Sequence, residues 1–311
     1  MPTSLAKETF SQRKDSLDVL KCIAAFFVIW IHFGYSQGKA IVLGDWIVRC
    51  AVPTFFMITG YYYDSIVEKG KFGKHFRKVF LLTLFASLFY VAVNIIRGAG
   101  VNFNRMWLFN VGCFHLWYLV ALLCDLLLLF VCDKLGLNKI LKCLCPVLLV
   151  AFFVIQYNHF PNYYYRNFLF MGLPCIMVGR FLSSTVFEKL MFVKKSASIL
   201  IFILVCFVGL LIEEYLHRSQ IISTKPEMYV CTIPFVMGVM CLALRHPQWG
   251  RGSIIATIGR RYSAYIYIFH IACAWLLAHF VSPLVLPFAT FALSLCMSVA
   301  YVFVKSLFSC R

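Results

Sequence analysis

Charge is scarce in this sequence, and acidic charge most of all: Asp, Glu, Lys and Arg make up 13% of 311 residues, with 12 acidic against 29 basic. A soluble domain carries about a quarter charged residues, so the shortage excludes a soluble globule. The 14 cysteines include no CxxC pair with metal spacing, and Cys143 and Cys145 stand too much alone for a zinc site. No metal is expected. Most of the other cysteines, Cys22, Cys124, Cys206 and Cys241 among them, lie inside apolar runs and read as small hydrophobes, so no disulfide framework is expected either. No repeat with a period of roughly 20 to 50 residues is visible, which argues against a solenoid or propeller. No small-residue cleavage site follows the first apolar run, so that run is expected to stay as a membrane helix and not to be removed as a signal peptide.

What the chain does have is apolar surface. Hydrophobic residues make up 62% of it and its mean hydropathy is +0.85, values that require lipid as the solvent. A bilayer-spanning helix takes about 20 predominantly apolar residues. Reading apolar runs between charged or Pro/Gly-rich breaks gives ten candidate helices, at 17–34, 45–63, 78–96, 115–132, 143–158, 167–182, 197–213, 228–244, 262–281 and 284–307. The expected fold is an all-α polytopic integral membrane protein of about ten transmembrane helices. It comprises a cytosolic tail over 1–15, one transmembrane domain over 16–307 and a short cytosolic tail over 308–311.

The net charge of +17 invites a nucleic-acid reading, but the basic residues sit in short clusters between apolar runs and form no stripe. Counted on alternate sides of the ten runs, 22 of the 29 fall on one side, including Lys21, Lys74, Arg77, Lys78, Arg180 and Arg260. The other side holds seven, Arg166 and Arg218 among them. The positive-inside bias then makes both termini cytoplasmic and gives the basic clusters anionic lipid headgroups as partners. No nucleic-acid partner is expected, and the sequence is silent on oligomeric state.

Ionisable groups at membrane depth cost about 2.5 to 3.5 kcal/mol on insertion scales and are functional candidates by default. Four sites qualify: Asp18 with Lys21, His32, Asp125 and His270. Lys21 and His32 are 11 residues apart, three helical turns plus about 20°, so they project from one face about 16 Å apart. Asp18, three residues before Lys21, can pair with it. Each residue also has a plainer role open to it: Lys21 snorkelling from a helix end, Asp18 as its surface partner, His32 hydrogen-bonded at the interface, His270 satisfied in the core. Against these, a Gly34-Tyr35-Ser36 break leaves the His32 imidazole beside a potential cavity mouth. Asp125 is suited to neutralising a basic residue, and Glu213 and Glu214 read as interface charges.

The segment LDVLKCIAAFFVIWIHFG resembles the first helix of acyltransferase family 3, in which an acidic residue precedes Arg or Lys and a His follows eleven positions later. Lys21 stands where Arg is commoner, keeping the charge and losing the planar fork. VPTFFMITGYYY at 52–63 is similar to the family's second helix, with Thr59 where Ser is usual, and Lys74-His75-Phe76-Arg77-Lys78 resembles its basic element before the third. HLWYLVALL at 115–123 looks like the start of the fourth helix, and YSAYIYIFH at 262–270 like the late Tyr/His segment. The five segments run in family order. Among members the chain resembles the stand-alone type, similar also to the membrane half of VanT-like racemases.

The resemblance implies an acyl-CoA donor, usually acetyl-CoA, used as a cosubstrate with no permanently bound cofactor. It implies a hydroxyl of an extracytoplasmic glycan or polymer as acceptor, and the plasma membrane as location. In that scheme Lys21, Lys74, Arg77 and Lys78 receive the anionic end of coenzyme A. The pantetheine arm carries the thioester toward His32, which acts as general base on the acceptor hydroxyl or is itself transiently acylated. Asp18 joins His32 in the catalytic set, and His115, Trp117, Tyr118, Asp125 and His270 serve the acceptor side or support it. Trp117 and Tyr118 either stack on a sugar or anchor at the interface as aromatic belt residues. The competing functional class is a transporter or flippase, suggested by ten helices with scattered intramembrane charge.

Overall fold

The computed structural model describes residues 14–33, 44–99, 113–188, 195–219 and 226–309. The Gly34-Tyr35-Ser36 break and most of both expected tails lie outside these residues. Among those described, every regular element is a helix. In chain order they are α1 (Asp15–Phe33), α2 (Asp45–Val48), α3 (Ala51–Glu68), α4 (Phe72–Ile96), α5 (Trp117–Lys134), α6 (Asn138–Tyr157), α7 (Leu173–Leu182), α8 (Thr185–Glu188), α9 (Ser196–Arg218), α10 (Thr232–Arg245), α11 (Ile254–Arg261), α12 (Ser263–Leu277) and α13 (Leu286–Ser309). A 3₁₀ turn at Phe114–Leu116 leads into α5, and a π-helical turn at Phe168–Gly172 leads into α7.

Each of the ten apolar runs overlaps a helix, the run at 45–63 being divided between α2 and α3. Five helical stretches are long and apolar enough to cross a bilayer: Phe72–Ile96, Phe114–Lys134, Asn138–Tyr157, Ser196–Arg218 and Leu286–Phe308. Three shorter apolar ones, Phe168–Leu182, Thr232–Arg245 and Ser263–Leu277, accompany them. On α4, Phe80, Leu84, Leu88 and Ile95 are all exposed, and on α9 so are Leu200, Ile201, Leu204, Val205 and Val208. Stripes of that kind at helical spacing are faces for lipid, since water would not tolerate them. The chain is a membrane protein.

Its described residues form two compact units, one drawing on 56–188 and 217–230, the other on 14–55, 195–216 and 231–309. In the first, α3 and α7 touch backbone to backbone. A Cβ at Gly60 would fall on the Ile176 carbonyl and one at Gly179 on the Met57 carbonyl, the close approach that small residues allow between membrane helices. One end of these helices is fastened by Arg180 on α7. Its Nε donates to Asp64 Oδ1 at 2.8 Å, its Nη1 to Asp133 Oδ1 at 2.9 Å and Asn138 Oδ1 at 3.1 Å, and its Nη2 to Asp133 Oδ2 at 3.2 Å. The guanidinium also lies 5.1 Å from the Tyr63 ring centre. Four helices thereby share one cation. Elsewhere in the unit, the Gln156 side chain of α6 donates to Met228 O at 3.0 Å and accepts from Glu227 N at 2.8 Å, pinning the segment after α9.

In the second unit α1 is central. Ala25 and Ile29 of α1 pack with Ile266 of α12 into a closed cluster, flanked by Phe55, Ile258, Tyr262, Phe291 and Leu295. Asp15 and Asp18 in the first turn of α1 complement the positive end of its dipole. Ser16 Oγ donates to Ala243 O at 2.6 Å. The short helix α11 lies between the apolar runs and has no counterpart among them. Ser253 caps it by accepting from Ala256 N at 3.1 Å. It docks on α1 through Gly259, where a Cβ would meet the Asp18 carbonyl.

Candidate functional site

The second unit brings together two histidines from opposite ends of the chain. His32, in the last turn of α1, stacks on His270 of α12 with ring centres 5.4 Å apart and planes 25° apart. His270 is fully buried, and its Nδ1 lies 2.6 Å from Tyr267 O. A carbonyl only accepts, so Nδ1 carries the hydrogen of this contact. The His32 ring, half-buried, therefore faces protein on its stacked side and not lipid.

Three turns earlier on α1, Lys21 Nζ donates to Asp18 Oδ1 at 3.0 Å. Asp18 is 5% exposed. Fourteen residues separate it from His32, about 21 Å of helix, so the Asp18–Lys21 pair and the His32 imidazole stand at different levels of α1. Docking of Gly259 against the Asp18 and Cys22 backbone brings the end of α11, with exposed Arg260 and Arg261, to the Lys21 level of α1. Sequence reasoning counted these arginines only as cytosolic charge.

The other three expected donor-binding residues belong to the first unit. Lys74, Arg77 and Lys78 are exposed in the first two turns of α4, at i, i+3 and i+4, and so share a face. The N-cap position, Lys71, makes no side-chain capping hydrogen bond. Cations at the positive end of a helix dipole are unfavourable by themselves, whereas an anion bound there would satisfy both the cations and the first-turn N–H groups.

The residues expected on the acceptor side are interior. His115 is 2% exposed, its ring edge-on to Tyr90 at 4.7 Å. Tyr118 is buried against Phe56 at 4.7 Å and shares a hydroxyl hydrogen bond with Thr59. Trp117 is buried as well, with the Arg166 guanidinium 5.7 Å from its ring centre. Both rings pack on Phe56 of α3, with ring centres 6.3 Å away for Trp117 and 4.7 Å for Tyr118, a neighbour beyond the reach of local pattern. Asp125 is also corrected. It is fully buried, its carboxylate abuts Gly172, and neither oxygen has a hydrogen-bond partner among the described residues. It neutralises no cation there.

Two polar groups escaped the sequence reading. Arg180 with Asp64 and Asp133 had a visible signal, two acids and one arginine at ends of apolar runs. Arg166 had none beyond its charge. Its Nη1 donates to Glu227 Oε1 at 3.3 Å, and Asn162 Nδ2 donates to the same oxygen at 3.3 Å. Glu213, read as an interface charge, accepts from Cys231 N at 2.8 Å.

The acyltransferase domain family matches residues 14–307, nearly the whole chain. An amino-acid racemase of Enterococcus faecalis is 29% identical over 126 residues, 35% of this chain and 18% of that protein. The chain thus matches less than a fifth of that relative's length. No solved structure matches. With its family match running from the first described turn of α1 to the last turn of α13, the chain belongs to acyltransferase family 3.

Proposed function

We propose that this protein is a transmembrane O-acyltransferase, moving an acyl group, acetyl in the first instance, from cytosolic acyl-CoA to a hydroxyl of an extracytoplasmic carbohydrate or envelope polymer. Both termini are cytoplasmic, ten helices cross the plasma membrane, and no cofactor stays bound between turnovers. The observation that carries this reading is the His32–His270 stack on the same helix as the Asp18–Lys21 pair, within a chain of acyltransferase family.

Lys21, held by Asp18 on the helix of His32, takes the phosphates of the donor through charge-assisted hydrogen bonds, and the exposed α4 cations Lys74, Arg77 and Lys78 are further donor-binding candidates. The pantetheine arm brings the thioester to His32. The neutral imidazole takes the proton of the acceptor hydroxyl as its oxygen attacks the thioester carbonyl. The C–S bond breaks as the C–O bond forms, and the coenzyme thiolate takes up a proton to leave as the thiol. His270 fixes the plane of the His32 ring, with its own orientation set by the Tyr267 carbonyl. An acyl-imidazole relay through His32 is the competing route.

The test is transfer of label from acetyl-CoA to envelope glycan by the purified protein in lipid nanodiscs. Wild type labels the glycan and His32→Ala does not. Equal labelling by the variant removes His32 from catalysis. Movement of solute without any acyl donor would favour a transporter.

A further inference from the structure

Between α5 and the turn before α7 lies a crevice that the reaction scheme leaves unused. Trp117, Val120 and Ala121 form one wall and Arg166, Asn167 and Phe168 the other, around a cavity of about 20 Å³. That volume admits a single water or one oxygen of a larger group. A sugar ring is excluded.

Besides the single indole N–H of Trp117 and the weak thiol donor of Cys124, two polar side chains line it, and only Arg166 is charged. Asn167 spends its amide on local backbone, with Oδ1 accepting from Leu169 N at 3.0 Å and Phe170 N at 3.2 Å, and Nδ2 donating to Tyr164 O at 2.9 Å. Arg166 has five N–H donors, of which Nη1 alone makes a side-chain hydrogen bond among the described residues, to Glu227. At 3.3 Å this contact is longer than the 2.7 to about 2.9 Å of a well-formed charge-assisted bond and engages one carboxylate oxygen instead of two. The Trp117 ring supports the guanidinium from the side, and the apolar walls strengthen its field. A planar, preoriented fork beside a cavity of one oxygen is matched by a carboxylate or phosphate.

We propose that Arg166 binds an oxyanion substituent of the acceptor, so that the polymer modified is acidic, with Glu227 as the group that the oxyanion displaces. This rests on the acyltransferase reading for the ligand's role, and on the basic-residue count, which puts Arg166 on the outer side. Carboxylate and phosphate share the required geometry, and the experiment separates them.

The full chain in nanodiscs, without acyl donor, is titrated with a uronic-acid oligosaccharide, a glycerol phosphate oligomer and a neutral oligosaccharide of similar length. One anionic probe is expected to bind more tightly than the neutral one. Arg166→Gln should weaken that binding by about tenfold or more, Arg166→Lys should weaken it less, and Glu227→Gln should strengthen it. Equal binding of anionic and neutral probes, an unchanged affinity in correctly folded Arg166→Gln, or weaker binding by Glu227→Gln overturns the proposal. The two readings fail separately. A protein that acylates a neutral polymer and ignores both anions sinks this inference alone, and one that binds an anion through Arg166 but transfers no acyl group sinks the acyltransferase reading alone.

Discussion

His32 and His270 come from helices at opposite ends of the chain, yet their rings lie 5.4 Å apart and 25° from parallel. Stacking constrains the plane of His32 without consuming either of its nitrogens.

If that plane matters for proton transfer, His270→Ala should lower kcat by about a hundredfold, the scale of a misplacement near 1 Å. The donor KM should not move. His270→Phe, which keeps a ring for stacking, should retain more activity than His270→Ala. Steady-state kinetics on protein of unchanged melting temperature make the comparison, and wild-type kcat in His270→Ala would remove the ring from the mechanism.

Arg180 should be a stability residue. Removing it in Arg180→Gln strands Asp64 and Asp133, and because Asp64 is 38% exposed and Asp133 17% the loss should be about 1 to 3 kcal/mol, less than for a fully buried pair. Adding Asp133→Asn should recover part of it. Thermal unfolding in detergent measures the cycle, and strictly additive losses would show the two groups to be uncoupled.

Asp125 makes the opposite prediction. A buried carboxylate with no hydrogen-bond partner among the described residues is costly when ionised, so the near-isosteric Asp125→Asn should leave stability unchanged or raise it by about 1 kcal/mol. Acyl transfer should persist. A large drop in melting temperature would mean that the carboxylate holds a partner through its charge.

Gly259→Ala should loosen α11 from α1, since the added methyl meets the Asp18 carbonyl. An overpacked backbone contact costs typically about 1 to 3 kcal/mol. Gly73→Ala, in open space, is the control, and equal melting temperatures for the two variants would show that the α1–α11 contact can relax.

The long helices were legible because lipid imposes a minimum run of apolar residues, and five of the ten runs fall on helical stretches long and apolar enough to cross a bilayer. The helical repeat likewise put Asp18 next to Lys21. What stayed hidden is long-range. Nothing within nine residues of His270 announces His32, and nothing near Trp117 and Tyr118, aromatics at the start of an apolar run, announces their packing on Phe56. Helix α11 escaped because it is eight residues long and ends in two arginines. Its docking face, Ala256 and Gly259, carries almost no hydrophobic signature.

The interlock of Gly60 with Ile176 and Gly179 with Met57, riveted at one end by Arg180, makes α3 and α7 a single strut. Neither can rotate or slide alone without driving carbonyl oxygens into the other's backbone. Motion imposed on this part of α3 therefore carries α7 with it, and any hinge serving the catalytic cycle must lie beyond the strut's two ends.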